Sequence, residues 1–75
     1  MNIKIMAYGK ILKEHREKAG YSQEELAKAT GITQAALSHW ENDKRTPNIT
    51  ACIQLADFYG ITVDELIGHE AKKNW

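Results

Sequence analysis

Four side chains in this chain could hold a metal or serve as nucleophile and base: His15, His39, His69 and Cys52. Their spacing matches no metal-ligand pattern. No glycine-rich phosphate loop is present, and no Ser/His/acid arrangement is supported by position. Catalysis is therefore not expected, and neither is a cofactor. A single cysteine rules out an internal disulfide. Cys52 falls on the apolar face of a helical pattern and is expected to be a small core residue. What remains is hydrogen-bonding capacity, concentrated between Ser22 and Pro47 in SQEELAKATGITQAALSHWENDKRTP.

The elements that hold that stretch are legible from their caps. Ser22 is a good N-cap, and Glu25 three residues on completes a capping box. Tyr21 and Leu26 can close over the same start as a hydrophobic staple. Gly31 stands where a left-handed residue stops the helix. Thr33 then caps a following helix, with Ile32 and Leu37 as its staple. Two helices joined by a turn of about four residues cross steeply. The second is pushed outward, where it can enter a DNA groove.

Three further helices fit the flanks. The first is expected from about Met6 to Lys18, with Tyr8, Leu12, His15 and Ala19 on one face and Gly20 at its end. The helix at about Gln23 to Thr30 buries Leu26 and Ala27. The next, at about Gln34 to Asn42, turns Leu37 and part of Trp40 inward. A polar loop, Asp43 to Thr46, ends in the only proline. Asn48 caps a fourth helix whose expected inner face is Ile49, Cys52, Ile53, Ala56 and Tyr59. Gly60 stops it. Thr62 and Glu65 form another capping box, Ile61 and Leu66 another staple, and Gly68 closes the last helix. Residues 1–5 and the tail 69–75 show no pattern. The expectation is an all-α, five-helix, single domain over residues 1–75.

Seventy-five residues lie near the lower limit for a self-sufficient core, so dimerisation would help. An apolar fraction of 43% argues against disorder. Ten basic and ten acidic residues give no net charge, which counts against nucleic acid unless the charges are segregated. Lys44 and Arg45 flank the outward helix and Lys28 lies on the helix before it, whereas Asp57, Asp64 and Glu65 come later. No apolar run is long enough to cross a membrane, and Met1 to Met6 lacks the pattern of a signal peptide. A cytoplasmic location without membrane association is expected.

The chain resembles the Cro and lambda-repressor-like helix-turn-helix family, also called the XRE family. The residues that carry the resemblance are Gly9, Leu12 and Arg16, then Ser22-Gln23-Glu24-Glu25-Leu26-Ala27, Gly31 and Ser38. They continue with Trp40-Glu41-Asn42, Pro47, Leu55-Ala56 and Asp64-Glu65-Leu66. It covers about residues 9–68. The resemblance implies a lambda-repressor-like DNA-binding domain. The second helix then braces on the phosphate backbone and the third lies in the major groove of double-stranded DNA.

By position, the resemblance selects Gln34, Ala35, Ser38 and His39 as the residues facing base edges. The Gln34 amide pairs one donor and one acceptor, matching the N6 and N7 edge of adenine. Ala35 offers only a methyl to thymine, or room for a neighbour. Ser38 discriminates weakly, and His39 can donate to guanine. The phosphate contacts implied are Gln23 and Thr33 at the two helix starts, and Asn42, Lys44, Arg45 and Thr46 in the following loop. Arg16 and Glu41 are implied to form an internal ion pair. Three positions depart from the family pattern. His15 replaces an aliphatic core residue and is expected to be packed and hydrogen-bonded. Asp43 stands where glycine is common; Asp tolerates a left-handed backbone better than most residues, but its charge weakens phosphate attraction. Ala35 lacks a polar side chain found in some relatives.

The function implied is a transcriptional regulator, a repressor binding a pseudo-palindromic operator as a homodimer. The expected dimer surface is the last helix with Ile61, Val63, Ile67 and Trp75. The alternative is a protein-interaction module or antitoxin-type regulator on the same fold, with a protein as main partner.

Overall fold

Every helix but the first begins on a polar side chain that accepts a backbone N–H. Ser22, Thr33, Asn48 and Thr62 each sit in extended backbone and cap the N–H three residues on, at Glu25, Ala36, Ala51 and Glu65. At Ser22 and Thr62 the glutamate reaches back to the cap residue's own N–H, closing both capping boxes. The structure, a computed structural model, describes residues 8–68. It has α1 (Gly9–Lys18), α2 (Gln23–Thr30), α3 (Gln34–Glu41), α4 (Ile49–Tyr59) and α5 (Val63–Ile67). Among the described residues there is no strand. The expected start of the first helix at Met6 lies outside the described residues, as do His69 and Trp75.

Each helix sends one leucine to a shared core: Leu12, Leu26, Leu37, Leu55 and Leu66. Leu66 is wholly buried. Cys52 and Ala56 complete the cluster, and Tyr8, Tyr21, Ile32, Trp40 and Tyr59 pack against its edge. At roughly 1.5–3 kcal/mol for each fully buried leucine, these five side chains are the main apolar contribution. α3 packs on α1 and α2, α5 packs on α1 and α4, and α2 also meets α4.

Two expected faces are corrected. Ala19 lies past the end of α1 and is exposed; the inward residues of α1 are Gly9, Leu12 and Arg16. On α4, Ile49 and Ile53 are 65% and 48% exposed. Its inner face is Ala51, Cys52, Leu55 and Ala56, with Tyr59 half-buried. Apolar residues surround most of this helix, so periodicity alone could not choose the side. The side carrying small Ala51 and Ala56 is the one that packs. His15 bridges α1 and α5: its Nε2 donates to the Glu65 carbonyl at 3.1 Å, and its ring stacks 5.9 Å from Tyr59.

Candidate nucleic-acid interface

The turn between α2 and α3 is held by its own polar groups. Gly31 takes a left-handed φ of 81°. The Thr30 hydroxyl donates to the Leu26 carbonyl at 2.8 Å and accepts the Ile32 N–H at 3.2 Å. Gln54 on α4 donates to the Thr30 carbonyl at 3.2 Å, so the turn is fixed to the rest of the fold. Burial of Leu37, with Trp40 half-buried, decides which side of α3 faces out. Gln34, Ala35 and His39 are exposed there, and Ser38 is half-buried beside them.

Beneath the two helices lies a buried ion pair. Arg16 is 8% exposed, and the Glu41 side chain is 5% exposed. Arg16 Nε and Nη2 donate to the two Glu41 carboxylate oxygens at 2.7 and 2.9 Å, a bidentate geometry. Arg16 Nη1 donates to the Tyr21 carbonyl at 2.8 Å. Donating to Glu41 raises the Arg16 pKa further, against the opposing effect of burial. The same carboxylate accepts from Gln23 Nε2 at 3.0 Å. One charge pair thus links α1, the start of α2 and the end of α3. Sequence reasoning missed the Gln23 bond. It spends one of the two amide hydrogens that would otherwise face a phosphate.

The loop after α3 is equally fixed. Lys44 and Arg45 donate their backbone N–H groups to the His39 carbonyl at 2.8 and 3.3 Å. Asn42 caps α3 by donating to the Ser38 carbonyl at 2.9 Å. Pro47 is buried and anchors the far end. Asp43 is the one non-glycine residue with positive φ among the described residues, at 59°. Its carboxylate accepts the Gly9 N–H at 2.9 Å and so caps α1, whose own cap position, Tyr8, supplies no side-chain cap. The sequence marked Asp43 as tolerating this backbone. Its partner lies 34 residues away, and no local pattern points to it.

The arrangement brings together an outward polar face and a cationic loop. Lys44, Arg45 and Thr46 are exposed, and Arg45 and Thr46 share an open concavity with Thr33, Ala35 and His39. Thr33 accepts the Ala36 N–H at 3.1 Å, leaving its hydroxyl proton to donate outward. At the start of α2, Glu24 and Glu25 stand in the first turn beside the expected phosphate position. The Glu25 carboxylate is already occupied by the Ser22 N–H at 2.8 Å. Among the described residues, no group of three or more His, Cys, Asp or Glu side chains could hold a metal ion. No described helix is long and apolar enough to cross a membrane.

Comparison with known proteins places this geometry. A helix-turn-helix family model matches residues 12–66. The transcriptional regulator ImmR of Bacillus subtilis is 41% identical over 71 residues, covering 92% of this chain and 56% of that protein. PuuR of Escherichia coli, also an HTH-type transcriptional regulator, is 36% identical over 67 residues, covering 89% of this chain and 36% of that protein. The chain therefore spans about half of one relative and about a third of the other. A transcriptional regulator from Listeria innocua superposes with a TM-score of 0.74 at 19% identity, covering 91% of this chain and 63% of that one. At that identity the likeness speaks for the fold alone.

Proposed function

The chain belongs to the XRE-type helix-turn-helix family, and from that membership we propose that it is a sequence-specific DNA-binding transcriptional regulator of the cytoplasm. It binds as a homodimer to a pseudo-palindromic operator, with half-sites about one helical turn, roughly 34 Å, apart. It acts as a repressor by occluding a promoter. The dimer forms through α5 and the turn before it, where Ile61, Val63 and Ile67 are half-buried against their own core and leave part of their surface outward.

The observation that carries this reading is the outer face of α3. Gln34 and His39 are exposed there, and neither spends a side-chain hydrogen bond within the described residues. Gln34, Ala35, Ser38 and His39 read bases, while Gln23, Thr33, Asn42, Lys44, Arg45 and Thr46 hold phosphates. For about three phosphates neutralised per protomer, the log-log dependence of affinity on salt has a slope near −5. The experiment is selection from a random duplex pool, followed by anisotropy titrations over a range of salt. A steep slope and a loss of affinity in Gln34→Ala support the reading. Absence of binding at low salt, with helical content intact, sinks it.

One observation favours the second reading, a protein-interaction or antitoxin-type role. Ile49 and Ile53 present two branched apolar side chains outward on α4, one turn apart. Together with zero net charge, this suits a protein partner better than a basic chain would.

A further inference from the structure

The base-reading face of α3 is short of polar groups. Ala35 offers none, and Ser38 is half-buried with its hydroxyl 3.4 Å from the Asn42 amide. The space that small side chains leave is not filled by the protein. Ala35, Ala36, His39 and Trp40 line an open concavity of about 370 Å³, and Arg45 and Thr46 line it with them.

Arg45 is exposed, and no described residue takes its guanidinium. Its backbone is not free to drift. The Arg45 and Lys44 N–H groups both end on the His39 carbonyl, which fixes the origin of the side chain relative to α3. Asp43 in its left-handed conformation, bonded to Gly9, fixes the loop from the other side. A long cation on a rigid base, lining the same open concavity as Ala35 and Ala36, has unfilled space beside α3 to extend into. A residue meant only to meet a phosphate needs no such gap.

Resting on the DNA-binding reading, but replacing the phosphate role that reading gives Arg45, the geometry points to Arg45 as a specificity-determining residue. Its guanidinium passes over Ala35 into the major groove and makes a bidentate pair with the O6 and N7 atoms of one guanine per half-site. This pairing needs the planar fork of arginine, and lysine supplies only a point charge. Ala35 is then the residue that makes room.

The test compares the wild-type chain with Arg45→Lys and Arg45→Ala. Each is titrated against the duplex selected by the wild type and against every single base-pair substitution in a half-site. At one G·C pair, wild-type discrimination is expected to be roughly 5- to 150-fold and to vanish in both variants. Arg45→Lys keeps the wild-type salt slope because it keeps the charge. Ala35→Met, which fills the gap, erases discrimination at the same pair. Thermal melting checks that each variant is folded, as expected for exposed positions. Retention of full discrimination at every pair by Arg45→Lys overturns the inference. So does a uniform loss in Arg45→Ala with a slope shallower by about one, which marks a phosphate contact. Failure of the wild type to bind any duplex removes the underlying DNA-binding reading instead, and this inference with it.

Discussion

The Gly9 N–H points at the Asp43 carboxylate, 2.9 Å away, so the loop after α3 caps the first helix of the fold. The two backbones meet closely. A Cβ placed on Gly9 would lie 2.7 Å from the Trp40 carbonyl oxygen and would also strike that of Glu41. These are main-chain atoms at the end of α3, which cannot swing aside. Gly9→Ala is expected to cost at least about 2 kcal/mol, lowering Tm by roughly 10 °C or more. Asp43→Asn keeps an acceptor and tolerates the left-handed backbone, so it costs little. Asp43→Ala loses both and costs about 1–3 kcal/mol. Urea denaturation of the three variants reads this order directly.

Arg16 and Glu41 carry the second prediction. Both side chains are nearly buried, so removing one strands the other. Arg16→Met or Glu41→Leu alone is expected to cost about 3–5 kcal/mol. Made together, the two changes leave no buried charge and recover most of that loss. A double-mutant cycle by denaturant titration measures the coupling. Additive losses would show that the pair is not coupled. A DNA-binding defect in either single variant then reflects unfolding, and it disappears at temperatures where that variant is folded.

Tyr59 supplies a pH dependence. Burial, with Glu41 nearby, pushes its phenol up to about 12 from the usual value of about 10. The folded state thus favours the protonated phenol more than the unfolded chain does. Its contribution to stability is complete below about pH 10 and is lost as pH rises from there through about 12. Alkaline denaturation should steepen over that window, together with late phenolate absorbance. Tyr59→Phe should flatten that part of the curve. A curve unchanged by the substitution would place the alkaline loss elsewhere.

The two faces of α4 differ in cost. Leu55 is 2% exposed and Ile49 is 65% exposed. Leu55→Ala should destabilise by about 2–5 kcal/mol, whereas Ile49→Gln should stay within about 0.5 kcal/mol. Thermal melts of the pair decide it, and a large loss in Ile49→Gln would assign that side chain to a contact outside residues 8–68.

What the sequence disclosed follows from range. Caps and glycine stops are interactions over three or four residues, so Ser22, Thr33, Asn48, Thr62, Gly31 and Gly60 placed four of the helices in advance. The inner side of α4 was misjudged because apolar residues nearly encircle it, and packing against its neighbours chose among them. The Arg16–Glu41 pair was implied by the resemblance, not by spacing. The Gly9–Asp43 and Gln23–Glu41 bonds join residues 34 and 18 apart. Contacts of that kind are products of the assembled fold. The same holds for the concavity beside Ala35, which exists only once the loop has folded back on the His39 carbonyl.

A core made of one leucine per helix has a kinetic consequence. The helices are 5 to 11 residues long, too short to persist alone in water. None holds a private cluster that could survive the departure of its neighbours. Amide protons deep in all five helices should therefore exchange through a common global opening, and no partly folded form of α3 should outlive the rest.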